Sequence, residues 1–259
     1  MNTTDLAKLT LIQADIMTYH LDKSDEAIAL LMQTIETVVA KQDQAQLKLK
    51  LADIYLYKDE VWEATLLYSQ VYKSMKEEPL GHEARFKNAQ LRYFIGEYEW
   101  AESQLKVLKA ATSKLIANDA MTLSLVIKDN LEADTTGTEL NRLARADYRI
   151  YQQHEDQAVA LLDDIIASGN EISKPHALFR KGEILEKRKD YANAEQLFLQ
   201  IVEQYPDSYM TDAALMHAAL IEQNELKEKE LAKQHYEKLI DEYPTSIYTA
   251  QAKKNYRKL

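Results

Sequence analysis

Cysteine is absent from the 259 residues, so no disulfide, thiol nucleophile, cysteine-ligated zinc or iron–sulfur cluster can be built within the chain. Turn formers are scarce too, with five Gly and four Pro. So little punctuation suits long helices rather than many short strands, and the abundance of Ala, Leu, Glu, Lys and Gln points the same way. No run approaches the roughly 20 apolar residues of a membrane-spanning helix. The start, "MNTTDLAKLTLIQADIMTYH", has neither the basic beginning nor the unbroken apolar stretch of a targeting segment. It enters a helical pattern almost at once, as a fragment or a mature form stripped of its leader would, which leaves localisation open between cytoplasm and periplasm. Positive charge is outnumbered: 32 Lys and Arg stand against 42 Asp and Glu, a formal net charge of −10. That balance argues against a surface built to hold nucleic acid and favours basic or neutral partners.

Signatures of chemistry are missing as well. His20, His82, His154, His176, His217 and His235 form no H-E-x-x-H or other close metal-ligand spacing. The glycines at 81, 96, 137, 169 and 182 are too scattered for a phosphate-cradling loop. Neighbouring acids such as Asp163 and Asp164 point about 100° apart on a helix and do not converge. No metal, cofactor or catalytic group is therefore expected.

What is present is a repeat. The stretch "RYFIGEYEWAESQLKVL" places Ala101 five residues after Gly96, and comparable alanines recur at Ala27, Ala64, Ala158, Ala194 and Ala232, at intervals of 37, 37, 57, 36 and 38 residues in chain order. Four residues after each alanine stands a bulky side chain: Leu31, Tyr68, Leu105, Leu162, Phe198 and Tyr236. Twelve residues before several of them lies another small residue, Ala52, Ala89, Ala146 or Gly182. Small residues at both places let two crossing helices approach closely. Pro79, Pro175, Pro206 and Pro244 fall between the units, where proline does not break a helix. After the last two, "YPDS" and "YPTS" supply residues expected to cap the next helix.

These features resemble the tetratricopeptide repeat, a helix pair of about 34 residues with a small residue at its eighth position, Gly-x-Tyr-x-x-Ala at the turn and proline near the end. "GEILEKRKDYANAEQLFLQIVEQYPDS" matches best, with Gly182, Tyr191, Ala194, Phe198 and Pro206 at the marked positions and Ile201 where the family usually has alanine. The last two units also look like periplasmic repeat proteins of bacterial outer-membrane assembly and Tol-Pal systems. The resemblance implies an all-α, right-handed α-solenoid over residues 1–259, with units near 5–40, 43–77, 80–112, 138–170, 174–206 and 208–244, and a capping helix at 246–259 carrying Lys253, Lys254, Arg257 and Lys258. The long interval leaves room for a non-standard helical insertion at 113–137, with Thr138 as the expected N-cap of the helix that follows. "NELKEKE" is expected to lengthen the last interhelical turn by about four residues as a solvated loop.

In the family the first helix of each pair lines the inner wall, so the resemblance implies a protein-binding row along it. Counting back seven and eleven residues from the alanines gives Asp53 with Tyr57, Gln90 with Phe94, Asp147 with Tyr151, and Glu183 with Lys187, each an i,i+4 pair. His20 and Ile16 hold the same places in the first unit. The row reads either as a groove for an apolar and basic peptide or as aromatic filling between neighbouring first helices. The expected function is a non-catalytic interaction scaffold for a protein or peptide, without nucleic acid or membrane insertion, and uncovered terminal repeats would allow a homo-oligomer. The alternatives are a sensory or regulatory segment of a larger bacterial kinase or transcription regulator, or a cell-envelope assembly factor.

Overall fold

The computed structural model describes residues 2–109 and 114–259, and among them every regular element is helical. Two compact units divide the chain, Met1–Lys128 and Asp129–Leu259. The first holds three helix pairs, α1 (Thr3–Tyr19) with α2 (Ser24–Thr37), α3 (Lys41–Tyr57) with α4 (Val61–Ser74), and α5 (Pro79–Phe94) with α6 (Tyr98–Lys109). Then comes α7 (Lys114–Ala133), whose last residues open the second unit. That unit contains α8 (Thr138–Tyr151) with α9 (Glu155–Ser168), α10 (Ser173–Lys187) with α11 (Tyr191–Gln204), α12 (Thr211–Ile221) with α13 (Lys229–Glu242), and the single α14 (Thr249–Tyr256). Within each unit the helices of a pair pack on each other, the second helix of one pair packs on the first helix of the next, and α1 touches α3, α3 touches α5 and α8 touches α10. Residues 110–113, where the third sequence unit ends and the insertion begins, lie outside the described residues.

The alanine register marks the helix crossings. Ala27, Ala64, Ala101, Ala158, Ala194 and Ala232 are all 0% exposed, and the bulky residues four positions later are buried with them. At the crossing that holds Gly182 there is no room for a side chain: a Cβ there would lie 2.7 Å from the Phe198 ring. The same spacing governs the turns. The residue five before each alanine has a positive φ: Asp22, Asp59, Gly96, Gln153, Lys189 and Lys227. After α3, α5, α8 and α10 this left-handed residue closes a Schellman motif, in which the next amide bonds back across the turn, as Glu97 N–H does to the Arg92 carbonyl at 2.8 Å. Only one of the six positions is glycine, so the fold holds the other five in a strained conformation.

Three local expectations change. Pro79 is the first residue of α5, and Pro175 lies inside the first turn of α10 rather than between units; a first turn has no donor for proline to remove. Thr138 is not the N-cap of α8. Gly137 takes that place with φ 69°, and the Asp134 carboxylate reaches over the turn to accept from the amides of Thr136 and Glu139 at 3.0 and 3.1 Å. Third, the expected loop at 224–230 is largely helical, since 222–226 continue α12 as a π-helical turn and Lys229 opens α13. In "YPDS" and "YPTS" the serines act one step before the helix: Ser208 and Ser246 accept from the amides of Met210 and Tyr248, while Thr211 and Thr249 donate to the carbonyls of Tyr205 and Tyr243.

Candidate functional site

In the first unit the row on α3 and α5 is drawn largely into the interior. Asp53 is buried, accepting from the Tyr68 hydroxyl and from Lys87 Nζ, both at 2.6 Å, so one carboxylate ties α3 to α4 and α5. Burial alone would pull the Lys87 ammonium down, but the Asp53 charge and hydrogen bond hold it above its ordinary value. Phe94 is buried beside Tyr93. Tyr57 and Gln90 keep part of their surface exposed. Tyr57 meets Tyr19 of α1 edge to face at 5.2 Å. α1 also presents Leu9, Ile12 and Ile16, spaced for one helix face and all exposed.

The second unit builds a polar chain across its first helices. Asp147 of α8 is the hub: His176 Nε2 donates to it at 3.2 Å and Arg180 Nε at 3.1 Å, both from α10. Arg180 Nη1 continues to Glu183 at 2.8 Å, and the Tyr209 hydroxyl lies 3.4 Å from His176 Nδ1. The polar chain links α8 to α10 and to Tyr209 just ahead of α12, so it orders the first helices. Burial pushes the Tyr209 phenol far up, which suits a donor rather than an acid. Tyr151 is partly buried at the end of α8.

Glu183 leads into a cavity of about 520 Å³ within the same unit. α10 contributes Glu183, Glu186 and Lys187, α11 Tyr191, α12 His217, Leu220 and Ile221, and the π turn Asn224 and Glu225. His217 is fixed from both sides, its ring packed 4.9 Å from that of Phe198 and 5.3 Å from that of Phe179, with Glu186 at 2.8 Å from its Nδ1. The one lysine is turned to Glu155 at 2.6 Å, so three carboxylates dominate the wall. Such a wall, with Leu220 and Ile221 beside it, suits the aliphatic stem and charged head of a lysine or arginine.

The tetratricopeptide repeat family model matches residues 176–208 and 213–246. Residues 176–208 and 213–246 are two adjacent tetratricopeptide repeats. A comparison with curated proteins finds no match. The two matched repeats are α10 with α11 and α12 with α13, so the cavity lies between the first helices of consecutive tetratricopeptide repeats. Of the row expected from the sequence, only Glu183 and its neighbour Lys187 line this cavity. His217, Glu186, Tyr191 and Glu225 were missed. Glu186 is one turn from Glu183 and could have been found by spacing alone, and the same counts carried back from Ala232 fall on Glu225 and Ile221, which both line the cavity.

Proposed function

We propose that the chain is a non-catalytic scaffold that takes an extended segment of a protein partner along its first-helix faces. Tetratricopeptide repeats are protein–protein interaction modules, and the family is generally a non-catalytic scaffold. Among the described residues no helix is long and apolar enough to cross a membrane. The observation that carries the finer reading is the cavity between α10 and α12, which sets three glutamates beside an apolar floor and a clamped imidazole. A partner side chain with a long stem and a positive end fits it. In the first unit, the exposed Leu9, Ile12 and Ile16 and the partly exposed Tyr57 and Gln90 suit an apolar stretch of partner. Asp53, Phe94, Asp147 and Tyr151 serve this reading as supports that hold the first helices in place.

The test is a panel of fluorescent peptides in which one lysine or arginine sits among apolar residues, each paired with a norleucine control. Binding by anisotropy should favour the basic member of each pair. Glu183→Gln with Glu225→Gln should erase that preference while leaving the circular dichroism spectrum unchanged. Equal binding of basic and norleucine peptides to the unaltered chain would overturn the reading.

A further inference from the structure

The second matched repeat is one residue longer than the first, and a π-helical turn, Glu222–Leu226, takes up the surplus at the end of α12. Aligned from the starts of the two matches, Glu222 stands where the preceding repeat has Leu185, a side chain packed on the apolar core. A carboxylate thus occupies a core position, and none of it reaches solvent. Both of its oxygens accept from His235 Nδ1 of α13, at 2.7 and 2.9 Å. Glu195 of α11 is hydrogen-bonded to the same carboxylate. Glu195 is only partly buried, so protons reach it from water.

The charged groups that face Glu195 are Glu222, Glu228 just ahead of α13, and His235. Tyr236 of α13 completes the surroundings by donating its hydroxyl to Gln223 inside the turn at 2.7 Å. Two carboxylates in contact cannot both be ionised without strong repulsion, so the pair holds one proton between them. Burial first, and the neighbouring Glu222 second, push the Glu195 carboxyl up to about 7. The turn they hold is also a wall of the cavity, through Asn224 and Glu225.

We propose that Glu195, Glu222 and His235 form a proton-operated latch on the π turn: with the shared proton in place the turn is fastened to α11 and α13, and loss of that proton loosens the wall that carries Asn224 and Glu225. The consequence for partner binding rests on the interaction reading above, but the test uses no ligand and stands apart from it. Amide hydrogen exchange, corrected for intrinsic rate, is compared near pH 6 and near pH 8 for the unaltered chain and for Glu195→Gln, which cannot ionise at that position. Protection of residues 222–228 should fall by up to about tenfold in the unaltered chain and stay level in the variant. Equal protection at both pH values in the unaltered chain, or the same fall in Glu195→Gln, overturns the latch. Should the variant not fold, the unaltered chain decides alone: a fall confined to 222–228 supports the latch, and a fall spread evenly over α12 and α13 counts against it.

Discussion

Lysine 189 and glutamine 153 sit in a left-handed backbone conformation that costs a residue with a Cβ roughly 1–2 kcal/mol. Glycine avoids that strain and loses part of the gain through the freedom it adds to the unfolded chain. Lys189→Gly and Gln153→Gly should therefore each stabilise the protein by about 1 kcal/mol, read as a higher urea midpoint at unchanged slope. Gly96→Ala should move the midpoint the other way, because it puts a Cβ into the same conformation, here at φ 83°. Asp53 makes the opposite case, in which one side chain carries several contacts. Removing it as Asp53→Ala takes this carboxylate from the Tyr68 hydroxyl and from the Lys87 ammonium, which Glu83 also meets at 3.6 Å, a loss of about 3 kcal/mol. Phe94→Ala should cost a similar amount, about 3–4 kcal/mol, by opening a cavity beside Tyr93. Tyr57, with part of its ring exposed, should be far more tolerant; chemical denaturation of the three variants side by side separates supports from surface.

For helix α8 the deciding contact lies outside the helix. The Asp134 carboxylate accepts from Thr136 and Glu139, and these hydrogen bonds, the Thr136 hydroxyl first, hold its carboxyl below the usual aspartate range. A carboxyl whose folded value is depressed contributes stability above its unfolded value and loses it as pH falls through the folded one. The contribution of Asp134 should thus be present at neutral pH and fade only in acid, so an acid titration of stability for Asp134→Asn should lack that part of the fall. This cap was not legible in the sequence. "DTTGTEL" offers four side chains able to cap, and the choice among them depends on the path of the loop through the left-handed Gly137. The helix pairs themselves were legible, because a crossing demands a small residue and six alanines in register leave few other readings. The π turn was not. One surplus residue can swell a loop or bulge a helix, and here the outcome is decided by Glu195 and His235, which are remote in sequence from Glu222.

At the scale of the whole molecule, the sign of charge was readable from composition, while the lining of the cavity was only partly so. Glu183 was found by its spacing from an alanine. Asp53 and Phe94 share that spacing but are drawn inside, because the pattern identifies a helix face and not how far a neighbouring helix covers it. The charge reading has a consequence that needs no knowledge of the partner. A chain of net charge −10 attracts a basic segment over a Debye length of about 10 Å in 0.1 M salt, and less as salt rises. Once the peptide is bound, its short-range contacts with the cavity and with Leu9, Ile12 and Ile16 respond to salt less than its long-range attraction does. Raising the salt from about 0.05 M to about 0.5 M should therefore lower the association rate of a basic peptide by about tenfold or more and leave its dissociation rate nearly unchanged. Stopped-flow fluorescence resolves the two rates. A salt effect on dissociation instead would place the basic side chain on the open surface rather than in the cavity lined by Glu183 and Glu225.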